Sequence, residues 1–304
     1  MRQRLTAWPA RLLLLGAIWG TSFLLIKIGV RAFTPVQVSF GRMVFGVLAL
    51  VPVVLFQRSH LPRDVRTWLH LSVAALLLNS VPFTLFAVGE QHVSSVLAGI
   101  WNGATPLFVL VVVLIAMPEE RPTRDRAVGL ALGFAGVLVV FGAWRGLGHG
   151  ELVGNLACLG ATLLYGLGFP YARRYLATGG LTIAALAFGQ LAMGTLQLAF
   201  ALPFAGGIPT AYPAGPLAAV VALGAIGTGF AYLLNYSIIR DAGATAASTV
   251  GYLVPVFAAV AGVTLLGEPL SWNEPAGGVL VLLGVAASQG RLGLRSLQPG
   301  SARA

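Results

Sequence analysis

The sequence has very little charge. Of its 304 residues, 19 are Lys or Arg and 9 are Asp or Glu, which is 9% where soluble domains carry about 25%. Apolar residues make up 57%, and another 39 residues are glycine. This balance leaves almost no room for a water-soluble fold and is typical of a chain that lies in a lipid bilayer.

Cysteine and catalytic motifs are also scarce. Cys158 is the single cysteine, so an intrachain disulfide and a cysteine-rich metal site are excluded. The apolar stretches contain no paired acids, no histidine set with metal-ligand spacing, no Gly-x-Ser-x-Gly elbow and no P-loop. We therefore expect no enzyme activity, no cofactor and no metal. A lipid-modifying membrane enzyme is the alternative from another functional class.

The net charge of +10 does not indicate a nucleic-acid partner. Such binding needs a dense basic face, and these arginines are scattered between apolar stretches. The partners we expect are the lipid bilayer and a small-molecule substrate.

Ten apolar stretches account for most of the chain. They fall at about 10–30, 36–56, 67–89, 94–117, 126–143, 153–173, 182–203, 216–239, 244–266 and 275–290. About 20 apolar residues cross the hydrocarbon core as a helix. We predict an all-α integral membrane protein with ten transmembrane helices. The first stretch is too long for the apolar core of a signal peptide, so we expect it to be retained.

The arginines predict the orientation. With the N-terminus in the cytoplasm, 15 of the basic residues fall in cytoplasmic segments, whereas only Arg31 and Arg145 fall in outer loops. Lys and Arg are retained on the cytoplasmic side, so both termini are predicted to be cytoplasmic.

An internal repeat divides the chain. The segment Phe40–Arg42 recurs 148 residues later as Phe188–Gln190, and Pro106 recurs 149 residues later as Pro255. Further collinear matches pair Trp19 with Tyr165, Lys27 with Arg173, Glu119 with Glu268, and Gly129 with Gly277. The matches indicate two five-helix units, 1–148 and 149–304. Because five is odd, the second unit is inverted in the membrane.

Inverted repeats have a functional consequence. They provide two nearly equivalent conformations, each open to one side, with the substrate site near the midplane. Alternating-access transport is the use that this symmetry favours. The other interpretation is that duplication only built a stable helical bundle.

The chain resembles the EamA-type members of the drug/metabolite transporter superfamily over residues 10–290. The resemblance rests on Ala98, Pro106, Glu119, Gly129 and Gly136, and on Ala247, Pro255, Glu268, Gly277 and Gly284. Within this superfamily it is most similar to bacterial exporters of amino acids, including aromatic ones. The resemblance implies a bacterial inner-membrane exporter whose cavity is lined by helices 1–4 and 6–9. It does not fix the substrate, and a monomer is expected because the second half supplies the inverted partner.

Polar and aromatic side chains within the spans are the candidate substrate contacts, since they are costly against lipid and tend to face a cavity. The substrate-binding candidates are Trp19, Arg42, Asn79, Phe83, Trp101, Asn102, Tyr165, Tyr232, Asn235 and Tyr252. Arg42 would pair with a substrate carboxylate, and aromatic faces would hold an apolar side chain. The alternatives are snorkelling for Arg42 and interhelical bonds or core packing for the others.

Prolines inside spans are candidate gating hinges, because each removes a backbone hydrogen bond. They are Pro82, Pro106, Pro170 and Pro255, and the alternative is a static kink.

The positions of the acids predict whether transport is coupled to protons. All nine fall in loops or at helix ends, whereas a proton antiporter for cations needs a deep carboxylate. Facilitated export is therefore favoured. Multidrug or organic-cation efflux by proton antiport is the alternative within transport.

Overall fold

The computed structural model describes residues 8–116, 124–142, 144, 148–176, 180–242 and 250–290. Regular secondary structure in these ranges is helical, and none of it is β-strand. Glu119, Arg145 and Ala247, which the sequence singled out, lie outside them.

The described residues form ten helices of the bundle, and we number them α1 to α10. They are α1 Trp8–Gly29, α2 Pro35–Phe56, α3 Val65–His92, α4 Ser95–Ala116, α5 Arg124–Phe141, α6 His149–Leu176, α7 Ile183–Ala201, α8 Ala214–Ala242, α9 Val250–Leu266 and α10 Asn273–Ser288. The prediction of ten helices in two inverted five-helix repeats is confirmed.

Most of these helices are long and apolar enough to cross a membrane. Seven described segments meet that condition, from α1 to α4 and from α6 to α8, and α9 is a shorter apolar helix. α5 begins with Arg124, Asp125 and Arg126, which shorten its apolar length. Large apolar side chains such as Phe56 and Phe204 are exposed at the surface of the bundle, where lipid is the natural solvent.

Several helices begin at a residue that caps them. The hydroxyl oxygens of Ser94 and Thr182 accept from the backbone N–H groups three residues on, and Thr34 forms a capping box with Gln37. At the start of α3, the Asp64 carboxylate accepts from Thr67 N–H at 2.7 Å. This bond stabilises the ionised form and lowers the pKa of Asp64.

Two helices contain a π-helical turn at matching positions. In α3 it spans Leu76–Ser80 and in α8 Ala225–Phe230, so the two turns begin 149 residues apart, the offset of the repeat. Pro82 follows the first turn and lacks the N–H that would continue the regular pattern. Such turns often lie at functional sites, because they redirect side chains.

α5 and α10 pack closely on each other through glycine. A Cβ at Gly136 would come within 2.6 Å of the backbone nitrogen of Val281, and one at Gly284 within 2.7 Å of the Gly129 carbonyl oxygen. Only glycine permits this approach. The fifth helix of each half is thus paired with that of the other half.

Candidate functional site

A buried arginine lies near the middle of the bundle. Arg42 is the eighth residue of α2 and is only 8% exposed. Its Nε donates to the Thr228 hydroxyl in the π turn of α8 at 2.8 Å. Its guanidinium carbon lies 3.6 Å from the centre of the Phe83 ring on α3, a cation–π contact. Arg42 therefore joins α2 to both interrupted helices and does not snorkel to the surface.

A second polar group lies beside it. The Gln190 amide nitrogen on α7 donates to Asn79 Oδ1 at 2.5 Å, and Asn79 Nδ2 donates to the Tyr232 hydroxyl at 2.8 Å. Asn79 is fully buried in the π turn of α3. The pair therefore links α7 to α3 in the way that Arg42 links α2 to α8.

These two groups are related by the internal repeat. Gln190 is the repeat mate of Arg42, and Thr228 lies 149 residues after Asn79. In each pair, a long polar side chain from the second helix of one half reaches the π turn in the third helix of the other half. The site is thus symmetric in construction, but only the Arg42 side carries a charge.

Arg42 is equipped to bind an anion. Among the described residues, its two terminal nitrogens have no hydrogen-bond partner, because Nε makes the single bond that Arg42 donates. The hydroxyls of Tyr165 and Tyr232 lie within electrostatic range of the guanidinium. A planar guanidinium with free N–H groups matches a carboxylate. We call Arg42, Asn79, Gln190, Thr228 and Tyr232 the central polar cluster.

The structure brings five of the sequence-predicted residues together. Arg42, Asn79 and Tyr232 belong to the central polar cluster, Phe83 lies against Arg42, and Tyr165 packs against the same apolar group as Phe83. Whether they bind substrate stays a prediction.

The other predicted contacts lie elsewhere. Trp101 is buried, and its indole N–H donates to Asn155 Oδ1 on α6 at 2.9 Å. Trp19 packs in the apolar core. The Tyr252 hydroxyl donates to Gln289 just past the end of α10. Asn102 and Asn235 are half-buried. These positions favour packing and interhelical bonding.

The predicted hinges differ in their surroundings. Pro82 follows the π turn of α3, and Pro106 follows a break in α4 at Ala104. Pro170 and Pro255 lie inside α6 and α9, which continue through them. The hinge role stays a prediction, and the helix interruptions favour it for Pro82 and Pro106.

Sequence reasoning left Gln190 and Thr228 out of the site. Glutamine and threonine in a span are weaker signals than arginine, and the bonds they make are formed by helices far apart in the chain. The signal was nevertheless present for Gln190, because the repeat pairs it with Arg42.

Polar contacts also join the halves at the end of the bundle that the arginines predict to face outward, which we call the predicted outer end. The Glu268 carboxylate accepts from Ser95 N–H at 3.0 Å and from the Ser95 hydroxyl at 2.8 Å, at the start of α4. The Thr34 hydroxyl donates to the Ala205 carbonyl at 3.0 Å. At the opposite end, Arg11 pairs with Asp241 at 2.9 Å.

Comparison with known protein families identifies this architecture. The model of the EamA-like transporter family matches residues 8–142 and again residues 152–288. The chain belongs to the EamA-like transporter family. It is accordingly a membrane transporter.

The relatives of this chain include transporters whose names give no substrate. An uncharacterized transporter of Archaeoglobus fulgidus is 28% identical, over 88% of this chain and 92% of its own length. The uncharacterized inner membrane transporter YedA of Escherichia coli (strain K12) is 29% identical, over 90% and 88%. A solved crystal structure of a protein shares the fold, with a TM-score of 0.66 at 21% identity over 98% of this chain and 100% of that chain.

Proposed function

We propose that this transporter exports amino acids, aromatic ones among them, and related small carboxylate metabolites by alternating access and facilitated diffusion. The observation that carries the proposal is Arg42. It is a buried cation with two terminal nitrogens that no described residue engages by a hydrogen bond, and its Nε bonds from one inverted repeat to the other, between which transporters of this kind bind substrate. A substrate carboxylate is the ligand that its geometry fits.

The surroundings of Arg42 suit the rest of such a substrate. The Phe83 ring lies against the guanidinium, and Tyr165 packs in the same apolar group, so apolar surface adjoins Arg42 and suits an aromatic or aliphatic side chain. The side-chain oxygens of Asn79 and Tyr232 are hydrogen-bond acceptors that suit a substrate ammonium.

The charge of the cluster disfavours the alternative cargo. An organic cation would bind beside the Arg42 guanidinium, and among the described residues no carboxylate hydrogen-bonds to the central polar cluster. Like charges at close range cost free energy in a poorly hydrated cavity.

The location follows from the same proposal. We place the protein in a bacterial inner membrane with both termini in the cytoplasm, since the basic residues gather in the cytoplasmic segments and YedA is called an inner membrane transporter. The functional unit is a monomer, because one chain carries both inverted repeats.

Uptake of labelled phenylalanine into proteoliposomes preloaded with unlabelled phenylalanine tests the function. We expect saturable exchange that other amino acids inhibit and an organic dication does not. Arg42→Gln should abolish most of it. Arg31→Gln, the matched control, removes an exposed arginine and should leave it unchanged.

Two results would contradict the proposal. Absence of exchange with every amino acid, together with flux of the dication, would establish the cation alternative. Equal exchange by wild type and Arg42→Gln would show that Arg42 does not hold the substrate.

A further inference from the structure

A buried acid near the predicted outer end has no role in the proposed substrate site. Glu90 lies two residues before the end of α3, which agrees with its helix-end position in the sequence. Its side chain is nevertheless 0% exposed. Neither carboxyl oxygen has a hydrogen-bond partner among the described residues. An ionised carboxylate without donors is costly in such a place, so the neutral acid is the form that this arrangement suits.

The charged and titratable groups within electrostatic range of Glu90 come from four neighbouring elements. They are Lys27 on α1, Arg42 on α2, Cys158 on α6 and Glu268 after α9. Lys27 is the nearest cation, but its ammonium donates to the backbone carbonyls of Glu90 and Val93, at 2.6 and 2.8 Å. It thus caps the end of α3 and does not hydrogen-bond to the carboxyl group.

A small cavity lies next to Glu90. It has a volume of about 270 Å³ and is lined by Lys27, Val30, Arg31, Glu90 and Gln91. The carboxyl oxygens themselves are covered. Arg31 is exposed and lies just after α1, so this cavity lies toward the predicted outer solution, with Glu90 among its lining residues.

The two halves are joined at the predicted outer end, where Glu90 lies, in this structure. Glu268 from the second half holds Ser95 at the start of α4 in the first half, and Thr34 in the first half holds Ala205 in the second. Alternating access requires these contacts between the halves to separate when the outer side opens. Separation would admit water to Glu90.

We propose that Glu90 is a proton-binding site that makes opening of the predicted outer gate depend on external pH. The acid holds a proton while the gate is closed around it. When the gate opens, the hydrated acid releases that proton to the outer solution, and it binds a proton from the same solution when the gate closes. Because the proton returns to the side from which it came, the device regulates facilitated transport without driving it.

The direction of the effect follows from linkage. The closed state binds one proton more than the open state, so a fall in external pH favours the closed state. A hydrated glutamic acid is ionised above about pH 4.3. Above that value the closed-to-open ratio should change by up to about tenfold per pH unit, until the closed state also loses its proton.

A cysteine reporter tests the gate without any substrate. Ala87 lies one turn before Glu90 and is fully buried, so Ala87→Cys in a Cys158→Ala background should react with a membrane-impermeant thiol reagent only when the outer side opens. The reaction rate in intact cells is measured against external pH, with Glu90 or with Glu90→Gln. The pH dependence of the thiol itself cancels in this comparison.

We expect the labelling rate to rise more steeply with pH in the Glu90 background than in the Glu90→Gln background, by up to about tenfold per unit. Glu151→Gln, which removes an exposed acid at the predicted outer end of α6, should leave the steep slope unchanged. Equal slopes in the Glu90 and Glu90→Gln backgrounds would overturn the proposal.

Infrared spectroscopy of the purified protein supplies a readout that needs no reporter cysteine. At neutral pH the wild type should show the carbonyl band of a protonated carboxylic acid, and Glu90→Gln should lack it. A wild-type spectrum without that band would overturn the proposal, even if the cysteine variants failed to fold. Neither measurement involves cargo, so a failure of the proposed amino-acid transport is distinguishable from a failure of the gate.

Discussion

The two halves of this transporter place a π turn at the same point of their third helices but meet it with different side chains. In one half-site Arg42 donates to Thr228, and in the other Gln190 donates to Asn79. The backbones of the two halves are therefore alike at this point, whereas their charges differ. Duplication supplied the backbone symmetry, and a single arginine placed a charge in only one of the two half-sites.

The same comparison separates two kinds of contact between the halves. The α5–α10 contact uses glycine from both sides and is symmetric, as a structural pairing can be. The central polar cluster is asymmetric, since only the Arg42 side carries a charge, and a single cation suits the one carboxylate of the proposed substrate.

Exchanging the two side chains is the strongest test of the asymmetry. Arg42→Gln alone should lower carboxylate exchange by about 10- to 100-fold, because a hydrogen bond to a charged group contributes about 1.5–3 kcal/mol. In the double variant Arg42→Gln/Gln190→Arg, the repeat places the cation opposite the other π turn, and we expect exchange within about tenfold of wild type. Proteoliposome exchange measures both. A double variant as inactive as the single one would show that the half-sites are not interchangeable.

Leucine at a glycine of the α5–α10 contact tests the symmetric part. Gly136→Leu and Gly284→Leu should each lower the free energy of unfolding by about 1–3 kcal/mol, because the new side chain meets the opposite backbone. Thermal unfolding in detergent measures the loss. Gly251→Leu is the control, since a Cβ there meets no atom within 4 Å. Unequal losses of unfolding free energy at Gly136 and Gly284 would show that the two sides of this contact do not contribute equally to stability.

The Glu268 side chain at the predicted outer end sharpens the comparison further. Glu268→Gln should weaken closure at the predicted outer end several-fold, because bonds from Ser95 to an ionised carboxylate are roughly twice as strong as bonds to an amide. The pH-controlled labelling of Ala87→Cys measures this as a faster rate at every pH. Its repeat mate Glu119 lies outside the described residues, and Glu119→Gln should leave that rate unchanged or slower. A faster rate with Glu119→Gln would contradict opposite roles for the two acids.

The smallest expected effect concerns the start of the third helix in each half. α3 begins after Asp64, which caps it, whereas α8 begins after Pro213, which offers no side-chain cap. The pKa of Asp64 lies below its ordinary value of 3.8, so the stabilisation is present above that value and is lost as the pH falls through the lowered pKa. Hydrogen exchange at the Thr67 amide should accelerate in acid relative to Asp64→Asn. The first turn of α8 should show no such change.

Sequence reasoning recovered the helices because their signal is local. Twenty apolar residues form a helix in lipid, where every backbone group needs an internal partner. The predicted spans agree with the observed helices within a few residues, and the predicted start of the ninth span, at 244, lies outside the described residues. The repeat was also readable, since it depends on matches along one chain. For the site, the sequence singled out Arg42, in the outer third of its helix, together with Asn79 and Tyr232, but gave them equal standing with Trp101 and Tyr252.

Composition, span count and duplication were thus determined by the sequence alone, because each depends on residue type and spacing. Tertiary structure decided which polar residues meet, since Arg42 and Thr228 lie 186 residues apart and only packing of inverted halves brings them together. It also decided that the Glu90 side chain is buried. A helix-end acid is usually in water, and only the helices packed around this one remove it from water.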